Sequence, residues 1–125
     1  MLKPFVHIAV AAALFTPATA YGCIPPLVEF TFGSSQLPPE GRYEVSLVLR
    51  KAQAVPDAKV KLMATTDGSR ANREMSGRRV QAIKAVLMRG GVPESRIDVE
   101  YVMATSDGSA RLILMEVVSA PTCGD

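Results

Sequence analysis

One stretch constrains the fold of this chain more than any other. Val60 to Leu87, VKLMATTDGSRANREMSGRRVQAIKAVL, reads as an apolar strand, a polar turn and an amphipathic helix. At about 100° per residue, Met75, Val80, Ala82, Ile83, Val86 and Leu87 fall in one arc roughly 160° wide. That arc must face a sheet, so the chain has to supply one.

Two polar residues break the arc. Arg79 lies inside it, and Asn72, seven residues earlier, points the same way. Burying a guanidinium without a partner costs several kcal/mol, so Arg79 needs a nearby carboxylate or a water-filled cleft. Asp67, closing the strand, is the nearest candidate. One reading is a small pocket for a zwitterion, with Asp67 and Arg79 as opposite poles beside free N–H groups at the helix start. The other is an internal Asp67–Arg79 ion pair that anchors the turn.

The rest of the chain supplies the sheet. Val28 to Phe32 alternates apolar and polar residues as a strand, and Gly33-Ser34-Ser35 ends it. Pro38-Pro39 opens a segment, Glu40 to Val55, whose length and flanking prolines favour a helix with Tyr43, Leu47, Val48, Ala52 and Val55 on one face. Lys59 to Thr65 is the second strand, with Val60, Leu62 and Ala64 on one side. Gly90-Gly91 closes the long helix. Arg96 to Ala104 is a third strand, with Ile97, Val99, Tyr101 and Met103 alternating, and Arg111 to Val118 a fourth. Asp107-Gly108 between them is a hairpin signal. MATTDGS at Met63 to Ser69 recurs as MATSDGS at Met103 to Ser109. Chance similarity of two strand-to-turn junctions is one explanation. The other puts both turns on one sheet edge, with Asp107 as a second carboxylate near the pocket.

The expected fold is α/β of the α+β type: a two-layer β-α-β-α-β-β sandwich, with two helices on one face of a four-stranded mixed sheet. A chain of 125 residues has room for one such domain. Met1 to Ala20 reads as a secretory signal, with Lys3, an apolar run and Ala18-Thr19-Ala20 as the cleavage site. The domain is then 21–125, with its core at about 28–118. Without Lys3 the chain keeps 13 basic and 12 acidic residues, a net charge of +1 that gives no nucleic-acid signature. The sole histidine, His7, leaves with the signal, which removes Ser-His and Cys-His catalysis and any histidine-based zinc site. No catalytic residues, metal ligands or cofactor are expected. Cys23 and Cys123 flank the domain and read as a disulfide in an oxidising compartment. Lipidation of Cys23, making an outer-membrane lipoprotein, is the alternative.

Several of these residues carry a resemblance. Thr66-Asp67, then Asn72, Met75, Ser76 and Arg79 as N-x-x-M-S-x-x-R, then Gly91-Val92, resemble the OmpA-like peptidoglycan-binding domain across roughly Val28 to Val118. The resemblance implies a non-catalytic periplasmic module of the Gram-negative cell envelope that binds peptidoglycan non-covalently. Its implied ligand is the diaminopimelate of the stem peptide, with Asp67 on the amine, Arg79 on the carboxylate and Asn72 positioning both. Thr66 would add a hydroxyl, and the Gly68 and Ser69 N–H groups would meet a carboxylate. An envelope protein is a further implied partner. The alternative is a degenerate OmpA-like fold serving as a protein–protein interaction domain, favoured by a turn from Asp67 to Asn72 about three residues shorter than the family's.

Overall fold

The computed structural model describes residues 25–104 and 108–118. The signal segment, both cysteines and Asp107 lie outside the described residues. The elements are β1 (Leu27–Glu29), α1 (Pro39–Ala54), β2 (Val60–Thr66), α2 (Arg70–Arg89), β3 (Ile97–Met103) and β4 (Leu112–Val117). Short 3-10 turns at Glu94–Arg96 and Gly108–Arg111 lead into β3 and β4.

The long helix forms where its caps allow. Ser69 is the N-cap, and its hydroxyl accepts the Asn72 N–H at 3.2 Å. Gly91, at φ +100°, takes the left-handed conformation that ends the helix. In α1 a proline sits in the first turn, as the sequence predicts. Its buried stripe is Gly41, Val45, Val48 and Ala52, whereas Tyr43 is exposed. The expected face is therefore rotated. Gly41 explains why: a Cβ there would stand 2.7 Å from a Val28 methyl, so the helix meets β1 at the glycine.

Strand order is β1-β4-β2-β3, with β2 and β3 parallel and β4 antiparallel to both β1 and β2. This is the expected mixed sheet. Val60, Leu62 and Ala64 of β2 stand opposite Val117, Met115 and Ile113 of β4 on one face, and α1 and α2 close over that face. Val28, Phe30, Val80, Ile83 and Leu87 complete a single core.

Three local expectations are corrected. Asp107-Gly108 does not join a hairpin, because β4 inserts between β1 and β2 while β3 lies on the outer edge. A turn signal reports a local reversal and is blind to which strand fills the next slot. Tyr101 and Met103 on that edge strand are 51% and 68% exposed, although they continue the alternation of Ile97 and Val99 as core residues would. Lastly, β1 stops at Glu29, and a tight turn follows at Thr31–Ser34, closed by a 3.0 Å bond from the Ser34 N–H to the Thr31 carbonyl.

Parallel pairing brings the ends of β2 and β3, Thr66 and Met103, to one edge of the sheet. Thr66 faces Met103 in register, and the Ala104 N–H donates to the Thr66 carbonyl at 2.7 Å.

Candidate functional site

Beyond the carboxyl ends of β1 and β2 lies a cleft of about 610 Å³, bordered by Asp67, Asn72 and Arg79 together with Phe32, Arg78 and Arg111. Open α/β sheets place ligands at this edge.

Asp67 begins the polar turn as the sequence suggests. Its Oδ1 accepts the Ser69 N–H at 2.9 Å, and its Oδ2 accepts the Asn72 side-chain amide at 2.6 Å. The bond from the Ser69 backbone, above all, holds the Asp67 carboxyl below its ordinary value, with the Ser69 hydroxyl and Asn72 adding to it. The carboxylate is exposed and ionised, with its orientation set by two partners on the following helix.

Arg79 is 5% exposed and makes different bonds from those expected. Nε donates to the Ser34 carbonyl at 2.8 Å and Nη2 to the Thr31 carbonyl at 3.2 Å, with the guanidinium carbon 5.3 Å from the centre of the Phe30 ring. Among the described residues, Asp67 and Arg79 form no ion pair with each other, so the internal-pair reading is corrected. The two main-chain carbonyls take two of the five N–H donors of the buried cation. Burial lowers the Arg79 pKa, and the nearby cations of Arg111 and Arg78 lower it further. No buried side-chain nitrogen or oxygen among the described residues lacks a partner. Nη1 has no hydrogen-bond partner among the described residues and is not fully buried, and Arg79 lines the cleft.

The remaining predicted site residues stand apart. Thr66 is 6% exposed, and its hydroxyl accepts the Gly68 N–H at 3.3 Å. Gly68, at φ +87°, lets the chain turn, and neither residue borders the cleft. The N–H groups expected to be free for a carboxylate are used: that of Gly68 on Thr66, that of Ser69 on Asp67 and that of Asn72 on Ser69. A polar turn before a helix caps itself before it serves a ligand.

Three residues of the cleft went unrecognised in the sequence, and Ser76, which the motif includes, has a role that the motif did not reveal. Ser76 is buried and donates its hydroxyl to the Thr65 carbonyl at 2.9 Å, tying α2 to β2 beneath the site. Phe32, Arg78 and Arg111 reach the cleft from three different segments. Arg111 leans on Glu29, at 3.7 Å. Only Phe32 had a local signal, the Phe32-Gly33 step at a strand end.

This two-layer fold, with a carboxylate and a guanidinium on one cleft at the sheet edge, defines the class. The sequence matches the OmpA family over residues 29–112, and the chain belongs to that family. No curated protein matches its sequence. Among solved structures, it is similar to the OmpA-like domain of FopA1 from Francisella tularensis, with a TM-score of 0.61, 14% identity and coverage of 71% of this chain and 68% of that one. It is also similar to the peptidoglycan-associated lipoprotein from Burkholderia pseudomallei (TM-score 0.61, 14% identity, 72% and 87% covered). A third is the C-terminal domain of Helicobacter pylori MotB (TM-score 0.57, 14% identity, 77% and 83% covered). At this identity the three show the fold.

Proposed function

We propose that this chain is a non-catalytic module of the cell envelope that binds peptidoglycan non-covalently through the diaminopimelate of its stem peptide. One observation carries the reading: Asp67 and Arg79 border the same cleft with opposite charges and are not paired with each other. Each has its own protein partners, so a ligand's ammonium and carboxylate need displace neither. Asp67 receives the ammonium, Nη1 of Arg79 donates to the carboxylate, and Asn72 holds Asp67 in place. A family relative bearing the name peptidoglycan-associated lipoprotein supports the choice of ligand. Cleavage after Ala20, a periplasmic location and a Cys23–Cys123 disulfide belong to the same proposal.

The second reading, a protein-interaction domain that retains only the fold, draws on the near-complete burial of Arg79 and its bonds to the 31–34 turn. Co-sedimentation of the mature protein with purified sacculi separates the two. Wild type should pellet, and Asp67→Asn, which replaces an exposed carboxylate with an isosteric amide, should stay in the supernatant while remaining folded, with a small drop in melting temperature from the acceptor it loses. Arg79→Ala is expected to lose binding and also about 2–3 kcal/mol of stability, since it removes two charge-assisted bonds from a buried position. A folded wild type that stays in the supernatant would leave the fold in place and move the ligand to a protein.

A further inference from the structure

Resting on the peptidoglycan reading, we infer that Phe32 is a stacking platform for a sugar ring of the glycan strand, next to the pocket for the stem peptide. Phe32 is 86% exposed, the most exposed large apolar side chain among the described residues. A single exposed apolar residue is ordinary on a protein surface; the way this one is held is not. It occupies the first corner of the Thr31–Ser34 turn, and Gly33 takes the second at φ +72°, a conformation that favours glycine. The carbonyls at the two ends of this turn, Thr31 and Ser34, are the two acceptors of Arg79. The buried guanidinium thus grips the turn from beneath and presents the ring outward on a fixed backbone. An aromatic side chain so held loses little conformational freedom on binding.

Chemistry around the ring selects the partner. Phe32 shares the cleft with the guanidinium groups of Arg78 and Arg111 and with the carboxylates of Asp67 and Glu74. Its sequence neighbours Thr31 and Gly33 are exposed too, as is Gln36, so the exposed residues beside it in the chain add no second large apolar side chain. A lone aromatic face among planar donors and carboxylate acceptors suits a pyranose. The ring's C–H face lies on the phenyl group, while its hydroxyl and acetamide groups find hydrogen-bond partners at the edge. At about 610 Å³ the cleft also has space beyond a single amino acid. The sugar that carries the stem peptide is its covalent neighbour, so one ligand spans both subsites.

The test titrates the mature protein calorimetrically with two ligands: the free L-Ala-D-Glu-diaminopimelate tripeptide, and the same tripeptide on its N-acetylglucosaminyl-N-acetylmuramyl disaccharide. Wild type should bind the disaccharide-peptide about 5- to 10-fold more tightly, the worth of one well-placed aromatic contact. Phe32→Ala should lose that preference and keep its affinity for the free peptide. Because the side chain is exposed, the truncation removes nothing from the core. Phe32→Trp should retain the preference, and, as the chain has no tryptophan, its fluorescence should respond to the disaccharide-peptide and not to the free peptide. Equal affinity of wild type for both ligands, or an equal loss on both in Phe32→Ala, overturns the platform while leaving the peptide pocket standing. Binding of neither ligand by wild type overturns both.

Discussion

Asp67 and Arg79 solve opposite problems with opposite kinds of partner. The exposed carboxylate is oriented by N–H donors from the helix that follows it, and the buried guanidinium is satisfied by carbonyls from a turn more than forty residues earlier. The depressed pKa of Asp67 has a functional consequence, and its sign is definite. Hydrogen bonds favour the charged form, so the carboxylate persists below its ordinary 3.8 and is protonated only as the pH falls through the lower folded-state value. Affinity for diaminopimelate should therefore be flat from neutrality down to about pH 5 and fall only in stronger acid. A titration series at fixed ionic strength checks this, and a midpoint near neutrality would remove Asp67 from the site. The grouping of Asp67, Asn72 and Arg79 was legible because helical periodicity alone puts Asn72 and Arg79 on one face above the strand end. Arg79's true acceptors were not, since a main-chain carbonyl leaves no mark in a sequence and only the tertiary fold brings residues 31 and 34 beneath α2.

Among the elements, α2 contributes most to the site, and a second buried cation shows how it is tied to β3. Lys84 lies on its buried stripe, and its ammonium reaches Glu94, on the 3-10 turn before β3, at 2.6 Å. The hydrogen bond from Lys84 and then its charge hold the Glu94 carboxyl below its ordinary range. A carboxyl with a depressed pKa contributes stability above its unfolded-state value and loses it as the pH falls through the folded one. Glu94→Gln should thus lower the melting temperature at neutral pH, leaving Lys84 buried without its counter-charge, and the deficit should narrow in acid. Lys84→Met should be neutral or stabilising, because a well-packed apolar side chain replaces an ion whose desolvation is costly. Adding Glu94→Gln to Lys84→Met should then have little effect. Thermal melts of the four proteins complete the cycle, and an undiminished loss in the double variant would show that Glu94 acts through some other partner. Element type and order followed from periodicity, whereas the boundary and pairing errors arose where neighbours decide. The apolar run of β4 suits a central strand as well as a hairpin arm. Equally, nothing local to Arg96 shows that it donates to the carbonyls of Ala52, Val55 and Ala58 and so closes the end of α1.

At the scale of the whole molecule, the sheet order determines where the chain ends emerge. β1 has three residues and a single neighbour, so the sheet is thinnest where the chain enters it. Leu27, at the start of β1, is paired with Leu114, and β4 runs antiparallel to it, so the entry of the first strand and the exit of the last lie on the same side of the sheet. Cys23 precedes β1 by four residues and Cys123 follows β4 by six. A bond between them would close a loop of 100 residues around nearly the whole domain, stabilising it by about 4–5 kcal/mol in the chain-entropy model. It would also reinforce the edge with the fewest ladder bonds. Exported protein should therefore resist alkylation until it is reduced, and its intact mass should lack the two thiol hydrogens. Reduction should lower the melting temperature by on the order of 10 °C or more, with little effect on Asp67 and Arg79, which border the cleft beyond the opposite end of β2. Ready alkylation without reductant, or a lipid adduct on Cys23, would discard the bridge. In the second case the domain would hang from a membrane by its first residue, with the cleft at the sheet edge free to meet the wall.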